Sequence, residues 1–311
     1  MHWDDAPSET RDEGCLRRTR WDLGEAAGSV AVGCKRVRAE PGGQTSPVHA
    51  HSAEEEIFFV LGGSGRLWQG GAVCEVRAGD GIVHVGEGPP HTLVAGPEGL
   101  DVLAFGLRRV AETGVLPRAG VAWVGDTWVE AAPGGHPFDR EAALEPVDVS
   151  AVGERLPNVV ALEDAEELAI RRGRTDLVRR DVGRAAGSVA SGLKWVAIAP
   201  GAEGYPPHCH SAEEELFVVL AGDGLLRLDD EERGVRRGSL VARPAGTGVA
   251  HSFVAGDTGL TLLAYGERDP RDVCWYPRSQ KLSVRGVGAM FRVQTVDYWD
   301  GEEGSHPPGE E

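Results

Sequence analysis

Apolar residues along this chain come in short runs, each broken by glycine, proline or a charged cluster. Val30, Val32 and Cys34 alternate with small neighbours ahead of the turn cluster Pro41-Gly42-Gly43. Ile57 to Leu61 is an unbroken apolar run that stops at Gly62-Gly63, and Gly79-Asp80-Gly81 marks a turn before Ile82 to Val85. His91 to Val94 and Leu100 to Phe105 follow, separated by a Gly-Pro turn. Runs of this length and spacing predict short β-strands in a sandwich or barrel. Only Leu162 to Arg171 reads as a short helix.

The same pattern occurs twice. Asp22 to Gly33 (DLGEAAGSVAVG) returns as Asp181 to Gly192 (DVGRAAGSVASG), and Pro47 to Gly65 (PVHAHSAEEEIFFVLGGSG) as Pro206 to Gly224 (PPHCHSAEEELFVVLAGDG). The offset is 159 at His49/His208 and Glu56/Glu215, and 160 at His91/His251 and Pro117/Pro277. A register held this long is a duplication, and its period is far above the ~20–50 residues of solenoid repeats. Each copy is therefore a whole domain. Residues 15–125 form the first and 157–300 the second, with a connection over 126–156. Residues 1–14 read as a loose polar tail and 301–311 as a disordered one. The fold class is all-β, two barrels in tandem.

Composition narrows the partners. Among 311 residues, 32 basic against 49 acidic side chains give a net charge of −17, with no basic stripe to hold a nucleic acid. No apolar run approaches the ~18 residues that would span a bilayer, and the acidic N-terminus lacks a secretory pattern. Five cysteines, an odd number without a Cys-x-x-Cys pair, argue against a disulfide framework and for a reducing cytoplasm.

The candidate chemistry lies in the repeated segment. Residues i and i+2 of a strand share a face, so His49 and His51 project together, as do His208 and His210. A carboxylate beyond a short bend and a histidine from another strand, His91 or His251, complete a four-donor set. Aligning the copies on Gly63 and Gly222 selects Glu56 and Glu215 from their runs of three glutamates. Imidazole and carboxylate donors suit Fe, Mn, Ni, Zn or Cu, one divalent ion per domain. Six of the 10 histidines fall on these positions, which is why they read as ligands rather than scattered surface groups. His2, His136 and His306 read as solvated, and His84, without a counterpart in the second copy, as lying off the site. Alternation turns Cys209 away from the ion. Parity with the ligands puts Phe58, Val60 and Leu93 on the inner wall of the first site, and Phe217, Val219 and Phe253 on that of the second. Lys35 and Lys194 read as surface residues. Glu54, Glu55, Glu213 and Glu214 read as facing solvent or the other sheet.

These segments resemble the two motifs of the cupin superfamily. The first motif is met by Gly43, His49, His51, Glu56 and Gly63, and by His208, His210, Glu215 and Gly222, with Ala202 in place of the leading glycine. The second is met by Pro244-Ala245-Gly246 before His251, and more loosely by Gly86-Glu87-Gly88 before His91. The resemblance covers most of both halves and is to two-domain cupins. It implies two double-stranded β-helix barrels, each with a three-histidine, one-glutamate metal centre in its mouth. It also implies a dioxygenase-like oxidoreductase acting on a small organic acid or phenol, with Glu56 or Glu215 doubling as a base. A non-redox isomerase or lyase, and a non-catalytic small-molecule-binding protein, are the alternatives. Two fused barrels mimic a dimer, so the chain is expected as a monomer or a homodimer.

Overall fold

The computed structural model describes residues 1–124, 127–130 and 135–302. Its two halves are double-stranded β-helix barrels. In the first, strands run in the order Ser8–Glu13, Leu16–Asp22, Val32–Ala39, His91–Leu107, Glu56–Gln69, Asp80–His84 and Val159–Ala161, with Ala72–Arg77 also paired to Glu56–Gln69. A smaller sheet, Thr127–Glu130, Val121–Val124, Thr113–Leu116 and Ala50–His51, closes the mouth. The second barrel repeats the plan around the long pair Glu215–Leu228 and His251–Glu267.

Each long pair bends where its register slips, between Val60/Gly62 and Gly63/Gly65, and between Val219/Ala221 and Gly222/Gly224. Glycine is required at the bend. Gly63 and Gly222 adopt φ of +76° and +74°, and a Cβ there would stand 2.2 Å from Gly99 O and 2.0 Å from Gly259 O. The bend lets one strand serve both faces of the barrel.

The unbroken run Ile57 to Val60 has a physical reason. Phe58 and Val60 point into the first barrel's own core with Val37, Leu67, Ile82, Leu93 and Val102. Ile57 and Phe59 point outwards, yet are equally buried, because the second barrel packs there through Leu193, Leu216, Val218, Leu263 and Tyr265. Phe105 stacks on Tyr265 at 5.1 Å between ring centres, across the interface. A strand buried on both faces shows no alternation. Each such side chain withdrawn from water contributes ~1.5–3 kcal/mol.

The segment ahead of each barrel pairs with the other barrel. Val159–Ala161 adds to Asp80–Ile82 of the first. The chain start does the same for the second: Leu240 N–H donates to Met1 O and Trp3 N–H to Gly238 O, both at 2.8 Å. Residues 1–14, expected as a loose tail, are thus structured, and Ser8–Glu13 forms a hairpin with Leu16–Asp22. His2, expected in solvent, lies 3.0 Å from Arg237 O. The helix expected over Leu162–Arg171 is only a single turn at Leu162–Asp164, followed by the strand Glu167–Arg172. Gly173, at φ +60°, turns that strand into a hairpin with Thr175–Arg180, and sheet pairing overrides local helix preference. In the connection, Pro137–Ala142 is helical and buries Glu141. His136 caps this helix. Residues 303–311, including His306 and nearly all of the expected C-terminal tail, lie outside the described residues.

Candidate metal centre

The first barrel brings His49, His51, Glu56 and His91 together. His49 and His51 lie on and beside the strand Ala50–His51, Glu56 opens the long strand Glu56–Gln69, and His91 opens the next long strand, bridged to His49. The Nε2 atoms of His49, His51 and His91 stand 3.2, 3.3 and 3.2 Å from one oxygen, Glu56 Oε2. In the second barrel the Nε2 atoms of His208, His210 and His251 stand 3.8, 3.5 and 3.0 Å from Glu215 Oε2. Two donors each ~2.1 Å from a common ion are ~3.0 Å apart at a right angle and ~3.4 Å apart at the tetrahedral angle. The spacing fits donors around an ion. Several of these atoms are buried without a hydrogen-bond partner: His51 Nε2, His251 Nε2 and Glu215 Oε2. Such orphans are costly unless something binds them.

The imidazoles are held from behind. His49, His91 and His208 each come two residues after a proline, and each turns Nδ1 to that proline's carbonyl, at 2.9, 3.3 and 2.8 Å. With Nδ1 as the donor, Nε2 faces the cluster as a free lone pair. His51 and His210 use carboxylates instead. His51 Nδ1 is 3.0 Å from Glu112 Oε1, and His210 Nδ1 is 2.7 Å from Asp272 Oδ2. Glu112 also accepts from the amides of Ala53 and Glu54, at 2.9 and 2.8 Å, and Asp272 from those of Ala212 and Glu213, at 3.0 and 3.3 Å. The sequence reading missed both carboxylates. Their signal was the repeat itself, which puts an acid at 112 and again 160 residues later.

Electrostatics follow from this packing. Burial opposes ionisation of Glu56, but the charge on His51 and the contacts with His49 and His91 hold its carboxyl well below the usual range. Glu215 is likewise held far below despite burial, by His251, His210 and His208. Burial also opposes charge on His51, yet Glu56 and Glu112 push it up to about 9. Against burial, Asp272, Cys274 and Glu215 raise His210 to about 11. Burial and the neighbouring His49 lower His91 to about 4, and burial, with His251 nearby, lowers His208 to about 4.

The two clusters differ in their surroundings. His84 stacks flat on His91 at 3.5 Å; its register equivalent is Arg243. Opposite His51 stands Gly114, whereas opposite His210 stands Cys274. Leu116 is replaced by Tyr276, whose ring lies against His208 at 5.5 Å. Cys209 takes no part in either donor cluster.

A cavity of about 490 Å³ opens over the second cluster, lined by Phe217, Phe253, Tyr205, Tyr276, Cys274 and Lys194. Of the expected apolar wall, Phe217 and Phe253 meet this cavity. Val219 is packed at 0% exposure in the core beneath. In the first barrel Phe58 touches the rings of His84 and His91, while Val60 and Leu93 are core residues at 0% and 1% exposure. Lys194, expected at the surface, is instead a cavity residue; burial lowers its basicity, and among the described residues it makes no hydrogen bond or ion pair. Lys35 is exposed. Of the four glutamates expected to face solvent or the other sheet, three are buried: Glu55, Glu213 and Glu214. Glu213 pairs with Arg285, and the other two cross to the opposite barrel. Glu54 accepts from Arg109 N at 2.6 Å.

Residues 35–104 and 194–264 match the family model described as Cupin domain. The chain is a two-domain cupin. Among solved structures, this bicupin is similar to oxalate decarboxylase from Bacillus subtilis at pH 4.6, with 18% identity over 86% of this chain and 76% of that one, and a TM-score of 0.58. It is also similar to a structure of that bacterium's oxalate decarboxylase reported for its Mn(II) centres, with 17% identity over 88% and 78%, and a TM-score of 0.56. At this identity the likeness is one of fold. No curated protein matches the chain by sequence. No helix among the described residues is long and apolar enough to cross a membrane.

Proposed function

We propose that this bicupin is a metal-dependent lyase that removes CO2 from a small carboxylic acid at its second barrel. His208, His210, Glu215 and His251 would hold the ion there, as His49, His51, Glu56 and His91 would in the first barrel. The observation that carries the reading is Lys194, a partly buried cation that makes no ion pair among the described residues, on the wall of the cavity above His208, His210 and His251. Holding an ammonium partly out of water without a direct partner is costly, and an anionic ligand offsets that cost. A phenol would not. Lys194 thus favours an acid as the substrate, and the oxalate decarboxylase named for the structural neighbours is why the lyase is preferred to the dioxygenase first expected.

A bound divalent ion supplies Lewis-acid polarisation of a carboxylate or carbonyl oxygen. The chain's own residues do the rest. Lys194 takes a carboxylate oxygen and fixes the substrate's orientation. Phe217 and Phe253 keep water from the carbon end. The bond between the carboxyl carbon and its neighbour breaks, CO2 leaves, and the electron pair kept by the neighbouring carbon takes up a proton. Glu215, held far below the usual carboxyl range by three imidazoles, serves as an ion ligand rather than as the base expected of it, and Glu56 likewise in the first barrel.

The test is a panel of small mono- and dicarboxylic acids with protein loaded with Mn, Fe, Ni, Zn or Cu, following CO2 and O2 together. The reading predicts CO2 release without stoichiometric O2 uptake. It also predicts that Lys194→Met lowers kcat/KM by about 10- to 100-fold, the worth of one charge-assisted hydrogen bond. One O2 consumed per turnover would return the dioxygenase, and tight retention of an acid without turnover would make the protein a binding module.

A further inference from the structure

The repeat makes one difference between the clusters conspicuous. Strand Val273–Tyr276 pairs with Cys209–His210 so that Cys274 lies directly opposite His210. Residues directly opposite across an antiparallel pair share a face, so the thiol is on the side of the imidazole. Cys274 is a free cysteine with 6% exposure and lies on the wall of the cavity over the cluster. Its sulfur and one ring nitrogen from each of His208 and His210 all lie within 4.8 Å of one another. A second donor group, His208, Glu215 and His251, shares His208 with the first. His251, whose side chain is only 3% exposed, aims an unpartnered Nε2 into the same space. The first barrel has Gly114 at the equivalent position, opposite His51, and therefore no sulfur.

Resting on the reading of both clusters as metal centres, we propose that Cys274 gives a thiolate to the ion of the second barrel, so that one chain holds two chemically different centres. The first is a nitrogen and oxygen site. The second is a nitrogen, oxygen and sulfur site. Thiolate sulfur binds zinc, cobalt and ferrous iron at ~2.3 Å and selects for softer ions. The sulfur proton leaves to solvent when the ion enters, and no electron changes hands. The second barrel therefore prefers a more thiophilic ion than the first. The simpler alternative is a thiol that only packs behind His210.

Cobalt(II) separates the two, because a cobalt–thiolate bond gives an intense near-ultraviolet charge-transfer band that nitrogen and oxygen donors do not. The full chain is freed of metal, loaded with Co(II), and read by absorption alongside elemental analysis. The proposal predicts two cobalt ions per chain and the band of one thiolate. Cys274→Ser removes the band while cobalt remains bound, and Cys209→Ser leaves it intact. Gly114→Cys adds a second such band in the first barrel, where a Cβ meets nothing closer than Trp123 Cβ at 3.7 Å. Two bound cobalt ions without the band would overturn the proposal and leave the metal reading standing. No bound cobalt at all would overturn both.

Discussion

Asp272 accepts a hydrogen bond from His210 Nδ1 at 2.7 Å, and Glu112 stands in the same relation to His51 at 3.0 Å. In both barrels a carboxylate one residue ahead of a mouth strand accepts from Nδ1 of the second histidine and aims its Nε2 at the cluster. Such outer partners typically carry 10- to 100-fold of ion affinity. Asp272→Asn is therefore expected to weaken the second centre by about that factor and leave the first unchanged, with Glu112→Gln doing the reverse. Competition with a chromophoric chelator measures both.

The same pairs set a pH dependence. In the ion-free protein His51 is raised to about 9 and His210 to about 11, so both carry a proton at neutral pH. An incoming cation competes with that proton. Affinity at each centre should therefore rise with pH through the neutral range, with about one proton released per ion at the first centre and about two at the second, where the Cys274 thiol also gives one up. Calorimetric titration in buffers of different ionisation enthalpy counts those protons. Binding with no proton release would mean the histidines are neutral before the ion arrives.

The barrels are clasped reciprocally beside these centres. Glu55 accepts from the amides of Val189, Ala190 and Ser191 at 2.8, 3.2 and 2.9 Å, and from Ser191 Oγ at 2.5 Å. Glu214 accepts from the amides of Val30 and Val32, each at 3.0 Å, and from that of Ala31 between them. Glu55→Ala takes the acceptor from three amides, of which that of Ser191 is buried, and is expected to cost about 1–3 kcal/mol of stability, with Glu55→Gln costing less. Denaturant unfolding measures the difference. Glu214→Ala should match it, because the loops are copies.

Much of this was legible in the sequence, and the reasons differ by residue. The convergence of the donor side chains could be read because strand alternation and the repeat both constrain them. His49, His51, Glu56 and His91, and their second copies, converge as the spacing implies. Glu55 and Glu214 could not be read, since a carboxylate beside a ligand looks solvated until its partner, 134 or more residues away, is known. Asp272 and Glu112 lay within the duplicated register but outside the motif. The chain start looked like a tail because the strand it joins, Leu240–Arg243, is remote in sequence. Cys274 was hidden for the opposite reason: only the strand pairing shows that it faces His210.

Bound ions shift unfolding as any native-state ligand does. Removing metal should lower Tm in the unaltered chain, and adding it back should restore Tm. The variant His91→Ala/His251→Ala should show little response to either. Differential scanning calorimetry with and without chelator reports it, and an equal response in that variant would place the stabilising ion elsewhere.

The most direct test of the central claim is the metal content of the chain after saturation with a divalent transition ion and removal of excess, by inductively coupled plasma mass spectrometry. The account predicts two ions per chain, one in His91→Ala or His251→Ala, and none in the double variant. No retained ion in the unaltered chain, or undiminished retention in the double variant, would contradict it.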